Sequence, residues 1–90
     1  ADLWGANLSG ANLTETVCNG ANFEEANLTG ANLTKADLTA TDFVCADLSG
    51  AVLIGADFSG ANLNDAKLAQ AIWDDSTIWP EGFPTPPSDP

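Results

Sequence analysis

The sequence predicts a solenoid, a chain that turns at a fixed short interval and stacks its own repeats. Three observations carry this. First, every fifth residue is apolar: Leu3, Leu8, Leu13, Cys18, Phe23, Leu28, Leu33, Leu38, Phe43, Leu48, Leu53, Phe58, Leu63, Leu68, Trp73 and Ile78. Second, the residue two before each of these is Ala, replaced only by Thr16, Thr41 and Ser76. Third, no insertion breaks the count, so residues 1–80 read as sixteen units in one register. A period of five fits neither the 3.6 of a helix nor the 2.0 of a strand.

The recurring unit A-(N/D)-L-x-x resembles the signature of the pentapeptide-repeat family, and it covers Ala1 to Pro80. That resemblance implies an all-β fold, a right-handed quadrilateral β-helix in which one repeat forms one side of a square and four form a coil. Sixteen uninterrupted repeats then make about four coils. The resemblance also implies that the central residue and the small residue two before it point inward. The domain reading is a repeat β-helix over 1–80 and a capping segment with a Pro-rich tail over 81–90.

Each element of the unit has a physical reason. Burying a Leu or Phe contributes about 1.5–3 kcal/mol, so the central column supplies a regular core without long loops. Ala is needed beside it because two large residues per side would overfill the coil. Thr and Ser are nearly as small, and their hydroxyls can bond a nearby carbonyl. If a coil takes twenty residues, positions twenty apart stack at about 4.8 Å. Glu15 then lies under Lys35 and Asp47 under Lys67, while Asp37 and Asp57 stack as like charges. Such exposed pairs are worth about 0–1 kcal/mol. Asn7 over Asn27 and Asn12 over Asn32 are placed to form amide ladders. These four asparagines also head Asn-x-Ser/Thr triplets, a spacing that the repeat itself generates.

Composition excludes several function classes. Thirteen carboxylates against Lys35 and Lys67 give a net charge of −11, the wrong sign for nucleic-acid phosphates or anionic membranes. The chain has no His, which removes Cys–His and Ser–His–Asp catalysis and His-containing metal sites. Cys18 takes a central position and Cys45 an outward corner between Glu25 and Asp65, an environment that dulls a thiolate. Pointing to opposite sides of a wall, the two are poorly placed for a disulfide. Calcium-binding nonapeptide repeats need a double-Gly unit that is missing here. Flat walls offer no pocket for paired-carboxylate chemistry. The expectation is no enzyme, no cofactor and no metal.

A few outward residues break the polar pattern. Val52, Ile54 and Ile72 fall on one side and form a candidate partner patch, which the tail could instead cover; Trp4 and Val44 are exceptions elsewhere, Trp4 placed to cover the first coil. At the C-terminal end, Trp79 and Phe83 with Pro80 and Pro84 read as a cap over the open core, resembling the closing segment of cyanobacterial members. The first coil has no such cover. The absence of Met is read as processing, and no targeting or membrane-spanning segment is visible; the chain reads as soluble, its compartment open. Together these features predict a structural or protein-interaction module with an unidentified protein partner and weak homodimerisation through the N-terminal coil. The alternative is mimicry of DNA toward a type II topoisomerase, which some family members implied by the resemblance perform.

Overall fold

The computed structural model describes residues 2–83. Ala1 and residues 84–90, where the Pro-rich tail is expected, lie outside the described residues. The chain winds as a four-sided parallel solenoid. Single-residue parallel bridges join positions twenty apart, from Asp2↔Asn22 to Val52↔Ile72. The first wall carries Asp2, Asn22, Asp42 and Asn62, and the second Asn7, Asn27, Asp47 and Lys67. The third carries Asn12, Asn32, Val52 and Ile72, and the fourth Val17, Asp37, Asp57 and Ile78. Each side is too short for an extended strand; it holds one bridging residue and then turns.

One repeat shows how five backbone N–H groups are all satisfied, as a buried ladder demands. Ala26 N–H closes the turn on Phe23 O at 2.9 Å, and Asn27 N–H donates to Ala6 O in the coil before at 2.8 Å. Leu28 and Gly30 N–H donate to the coil after, at Asp47 O (2.8 Å) and Ser49 O (3.0 Å). Thr29 N–H, which points away from both neighbours, donates to the Asn27 Oδ1 at 3.0 Å. The outward Asn or Asp is therefore a cap for the turn two residues on, an Asx arrangement, worth about 0.5–1.5 kcal/mol as one hydrogen bond. The same bond recurs from Trp4 N–H to Asp2, Ser9 to Asn7, Val44 to Asp42 and Ser49 to Asp47. This corrects the expected amide ladders. Asn7, Asn12, Asn27 and Asn32 do stack across bridges, but their Oδ1 atoms accept from their own turns.

The turns place their third residue at positive φ, from 57° at Ala40 to 77° at Gly20. With one positive φ and an i→i+3 bond, they follow the pattern of type II turns. Glycine fits that corner without strain. Glu15, Glu25, Lys35, Ala40, Cys45, Asp65 and Gln70 occupy it at a cost of about 1–2 kcal/mol each.

Inside, Phe23, Leu28, Leu33, Leu38, Phe43, Leu48, Leu53, Phe58 and Leu63 are buried with alanines between them. Thr16 and Thr41 replace Ala by turning their hydroxyls onto Leu13 O (2.8 Å) and Leu38 O (2.6 Å). Leu3, Leu8, Leu13 and Cys18 pack on this core from one side and remain half-buried. Trp4 does not cover them; it stays 57% exposed.

The register slips once the chain passes Trp73, which corrects the expectation of sixteen uninterrupted units. Asp57 bridges Ile78, twenty-one residues on, not Thr77. Thr77 takes the small inward place and donates to Leu53 O at 2.8 Å, while Ser76 is exposed. Trp79 takes the central place on the fourth wall, stacked on Phe58 at 5.3 Å with planes 3° apart. Ile78, expected at the centre, points outward and is 49% exposed. The physical cause is the turn from Asp74 to Thr77. Thr77 N–H bonds Asp74 O at 3.0 Å, Ser76 N–H bonds Asp74 Oδ1 at 2.9 Å, and neither Asp75 nor Ser76 has positive φ. An Asp at the first position without a left-handed residue is the type I pattern, and this turn starts one residue after the central Trp73, whereas the regular turns start at the central residue itself, as Leu28 does for Ala31. The next unit is also six long: Phe83 N–H closes on Pro80 O at 3.0 Å, with Gly82 at φ 78°.

Candidate functional site

The outward patch and the terminal cap are the largest departures of this chain from its own repeat. Val52 and Ile72 bridge directly on the third wall, and Ile54 lies two residues along from Val52. Val52 and Ile54 are half-buried; Ile72 is exposed. Val and Ile have no oxygen, so Val52 cannot cap the Ile54 N–H as Asn32 caps Thr34 on the same wall at 3.1 Å. At the next level the cap moves to Asp74, whose carboxylate accepts from both the N–H and the hydroxyl of Ser76. Those bonds hold the Asp74 carboxyl below the usual aspartate range. The extra residue also opens a recess lined by Trp73, Asp74, Asp75 and Ser76.

The expected cap is more deeply built in than the sequence implies. An aromatic column runs through the molecule: Phe23 stacks on Phe43 at 4.8 Å, Phe43 meets Phe58 edge-on, Phe58 stacks on Trp79, and Trp79 stacks on Phe83 at 5.6 Å. Trp73 meets Trp79 at 5.8 Å with planes 87° apart. Trp79 is thus the last core residue of the fourth wall, and Phe83 covers it. The buried indole Nε1 atoms of Trp73 and Trp79 have no hydrogen-bond acceptor. The sequence signal for this end was the dipeptide Ile-Trp, which recurs at a spacing of six, Ile72-Trp73 and Ile78-Trp79.

Charged residues are distributed along the walls. Asp37 and Asp57 stack as a bridged pair, as do Asp47 and Lys67. Neither expected lysine contact closes into an ion pair among the described residues. Lys67 acts on Asp47 only through space, and the Ser49 hydroxyl and N–H are what chiefly hold the Asp47 carboxyl low. The Lys35 stem instead lies over the adjacent corner, its Cγ 3.0 Å from where a Cβ on Gly55 would stand. Cys18 is half-buried near the Thr16 hydroxyl at 3.4 Å, and Cys45 is exposed at a corner; both are free thiols. Among the described residues no three Cys, Asp or Glu side chains converge as metal ligands, and no helix is long and apolar enough to cross a membrane.

The parallel five-residue turns, small-and-large core and Asx-capped corners define a pentapeptide-repeat β-helix. The chain belongs to that family: the Pentapeptide repeats profile matches residues 1–30 and 31–70. Its fold is the right-handed β-helix of these proteins. The solved pentapeptide repeat protein alr5209 from Nostoc PCC 7120 is 40% identical, with a TM-score of 0.70 over 92% of this chain and 77% of that one. HetL, a pentapeptide repeat protein involved in heterocyst differentiation regulation in Nostoc sp. strain PCC 7120, is 34% identical. It has a TM-score of 0.75 over 87% of this chain, which spans 38% of HetL. Rfr23 from the cyanobacterium Cyanothece 51142 is 31% identical, with a TM-score of 0.56 over 87% of this chain and 56% of that one. Comparison with curated proteins returns no match.

Proposed function

We propose that this chain is a non-enzymatic interaction module that presents rigid acidic walls to a protein partner. The observation that carries this reading is the Asx bond repeated along the walls. It ties each bridging Asn or Asp to its own backbone, so that part of the display surface is ordered before a partner arrives and loses little entropy on binding. The test is affinity capture from the source cells with the folded protein and with a Leu48→Lys control that cannot fold. A protein retained by the folded chain alone supports the reading; none retained at physiological salt overturns it.

DNA mimicry is the second reading, favoured by the charge. The molecule extends 31 × 25 × 24 Å and carries −11. A duplex 31 Å long carries about 18 phosphate charges, so the chain offers a short and diluted copy. The expected result is no inhibition of gyrase supercoiling at micromolar protein. Inhibition relieved by neutralising Asp37, Asp42 and Asp57 together would place mimicry first.

For these ninety residues taken alone, the half-covered Leu3, Leu8, Leu13 and Cys18 are the surface proposed for weak two-fold association through the first coil. Like charge opposes it, so salt should strengthen it. Sedimentation of the wild type and Leu3→Glu at two ionic strengths decides.

A further inference from the structure

The two departures from the repeat meet at one corner. On the third wall, Asn12 and Asn32 give way to Val52 and Ile72, which bridge each other, with Ile54 alongside. The Val at 52 gives up the oxygen that caps the equivalent turn at Asn32. Directly after Ile72 the inserted residue opens the recess of Trp73, Asp74, Asp75 and Ser76. The apolar strip thus lies next to a recess whose lining includes Trp73 and two aspartates. Val17, 80% exposed on the fourth wall, has no such surroundings.

We propose that Val52, Ile54 and Ile72, with the adjoining recess at Trp73–Ser76, dock a basic protein segment in which apolar side chains alternate with arginine. The apolar side chains cover the strip, and a guanidinium enters the recess, over the Trp73 ring and against Asp74 and Asp75. Arginine suits both contacts, since it stacks on aromatic faces and pairs with carboxylates. Charge chooses the occupant. A second copy of this chain brings another −11, and nucleic acid or an anionic bilayer is repelled by the same walls. The inference rests on the interaction-module reading.

The test uses the full chain and two labelled peptides, one alternating leucine with arginine, the other with serine in place of leucine. At about 0.15 M salt, the leucine peptide should bind at least about tenfold tighter, a difference of one order in Kd. The double variant Val52→Asn, Ile72→Asn restores the residue type of Asn12 and Asn32, so it keeps the fold, checked by an unchanged dichroism spectrum. It should erase the preference for leucine. Asp74→Asn with Asp75→Asn should weaken both peptides and flatten their salt dependence. Equal binding of the two peptides, or a preference that survives in the Asn variant, overturns the proposal. A cellular partner captured equally by wild type and the Asn variant also overturns it, while leaving the interaction-module reading intact on another wall.

Discussion

Between Ala21 and Gly50 the coils repeat one bonding scheme, whereas from Ala71 to Phe83 the chain continues the stack with units one residue longer. In the middle coils, Asn or Asp before the central residue caps the turn, and a positive-φ corner completes it. Near the end, the cap moves past the central residue to Asp74, and the first long turn dispenses with positive φ. The inward places are refilled all the same, by Thr77 and Trp79 in place of Ser76 and Ile78. What the solenoid conserves physically is therefore the inward pair of one small and one large side chain; the number of residues spent between pairs can change. Aromatics make this tolerable, because Trp79 spans the core and stacks on Phe58 even though its wall has shifted.

The largest effects separate the two regions by register. Leu48 is fully buried and Ile78 is 49% exposed, although a strict count of five gives both the central place. Leu48→Lys should abolish folding, since an unpaired buried charge costs on the order of the whole stability of about 5–15 kcal/mol. Ile78→Lys should shift the denaturation midpoint little. The neighbouring pair should behave in reverse: Trp79→Lys severe, Ser49→Lys mild. Equal damage at Leu48 and Ile78 would restore the unbroken count.

The next effect tests the aromatic column. Trp79→Ala should cost about 3 kcal/mol, the low end for an aromatic truncation because the ring is only partly enclosed. Trp79→Phe should cost far less, since it keeps the stack on Phe58 and removes an indole N–H without an acceptor. If both variants melt with the wild type, Trp79 is a surface lid.

Much of the fold was legible in the sequence because the period of five fixes which residues share a wall, and the bridges between positions twenty apart follow from it as far as Ile72. The role of Asn and Asp was not legible in this way. Polarity said that these residues face water, but only the backbone shows the Ser and Thr N–H groups that their oxygens accept. The slip was hidden for a related reason. Ile78 is apolar and falls on the count, so composition could not distinguish it from Trp79, and the decisive signal was Asp74 at the head of a turn. The patch at Val52, Ile54 and Ile72 could be placed on one wall, but the recess beside it depends on the inserted residue and was invisible until the slip was seen.

Corners sharpen the comparison at a smaller scale. Asp65 holds φ at 60° and is exposed, so Asp65→Gly should gain about 1 kcal/mol by removing left-handed strain. Ser76 sits in a turn without positive φ. Ser76→Gly should therefore gain nothing, and should lose the hydroxyl bond to Asp74. Chemical denaturation resolves a difference of this size, and equal gains at both sites would mean that the two turns are of one type.

The smallest expected effect concerns pH, and it again sets a middle coil against the end. The Ser49 hydroxyl and N–H lower the Asp47 carboxyl, and those of Ser76 lower Asp74. A carboxyl lowered in the folded state binds fewer protons there than in the unfolded chain. Its contribution is complete above the ordinary aspartate value near about 4 and is lost as pH falls through the lowered folded value. Thermal midpoints should therefore hold steady from neutral pH down to about 4, decline as pH falls from there through the lowered folded value, and lose nothing more from these groups below it. Asp47→Asn keeps an oxygen for the Ser49 N–H but cannot titrate, so it should flatten part of that decline without lowering stability much at neutral pH. Asp74→Asn should do the same at the end of the stack, where Ser76 supplies the two largest lowering bonds, the Thr77 backbone adds a smaller one, and no lysine contributes. The salt response divides the two sites: Lys67 adds an electrostatic share at Asp47 that added salt weakens, while the decline due to Asp74 should be unchanged by salt. A decline that persists in the double Asn variant would assign the acid sensitivity to groups other than these two turns.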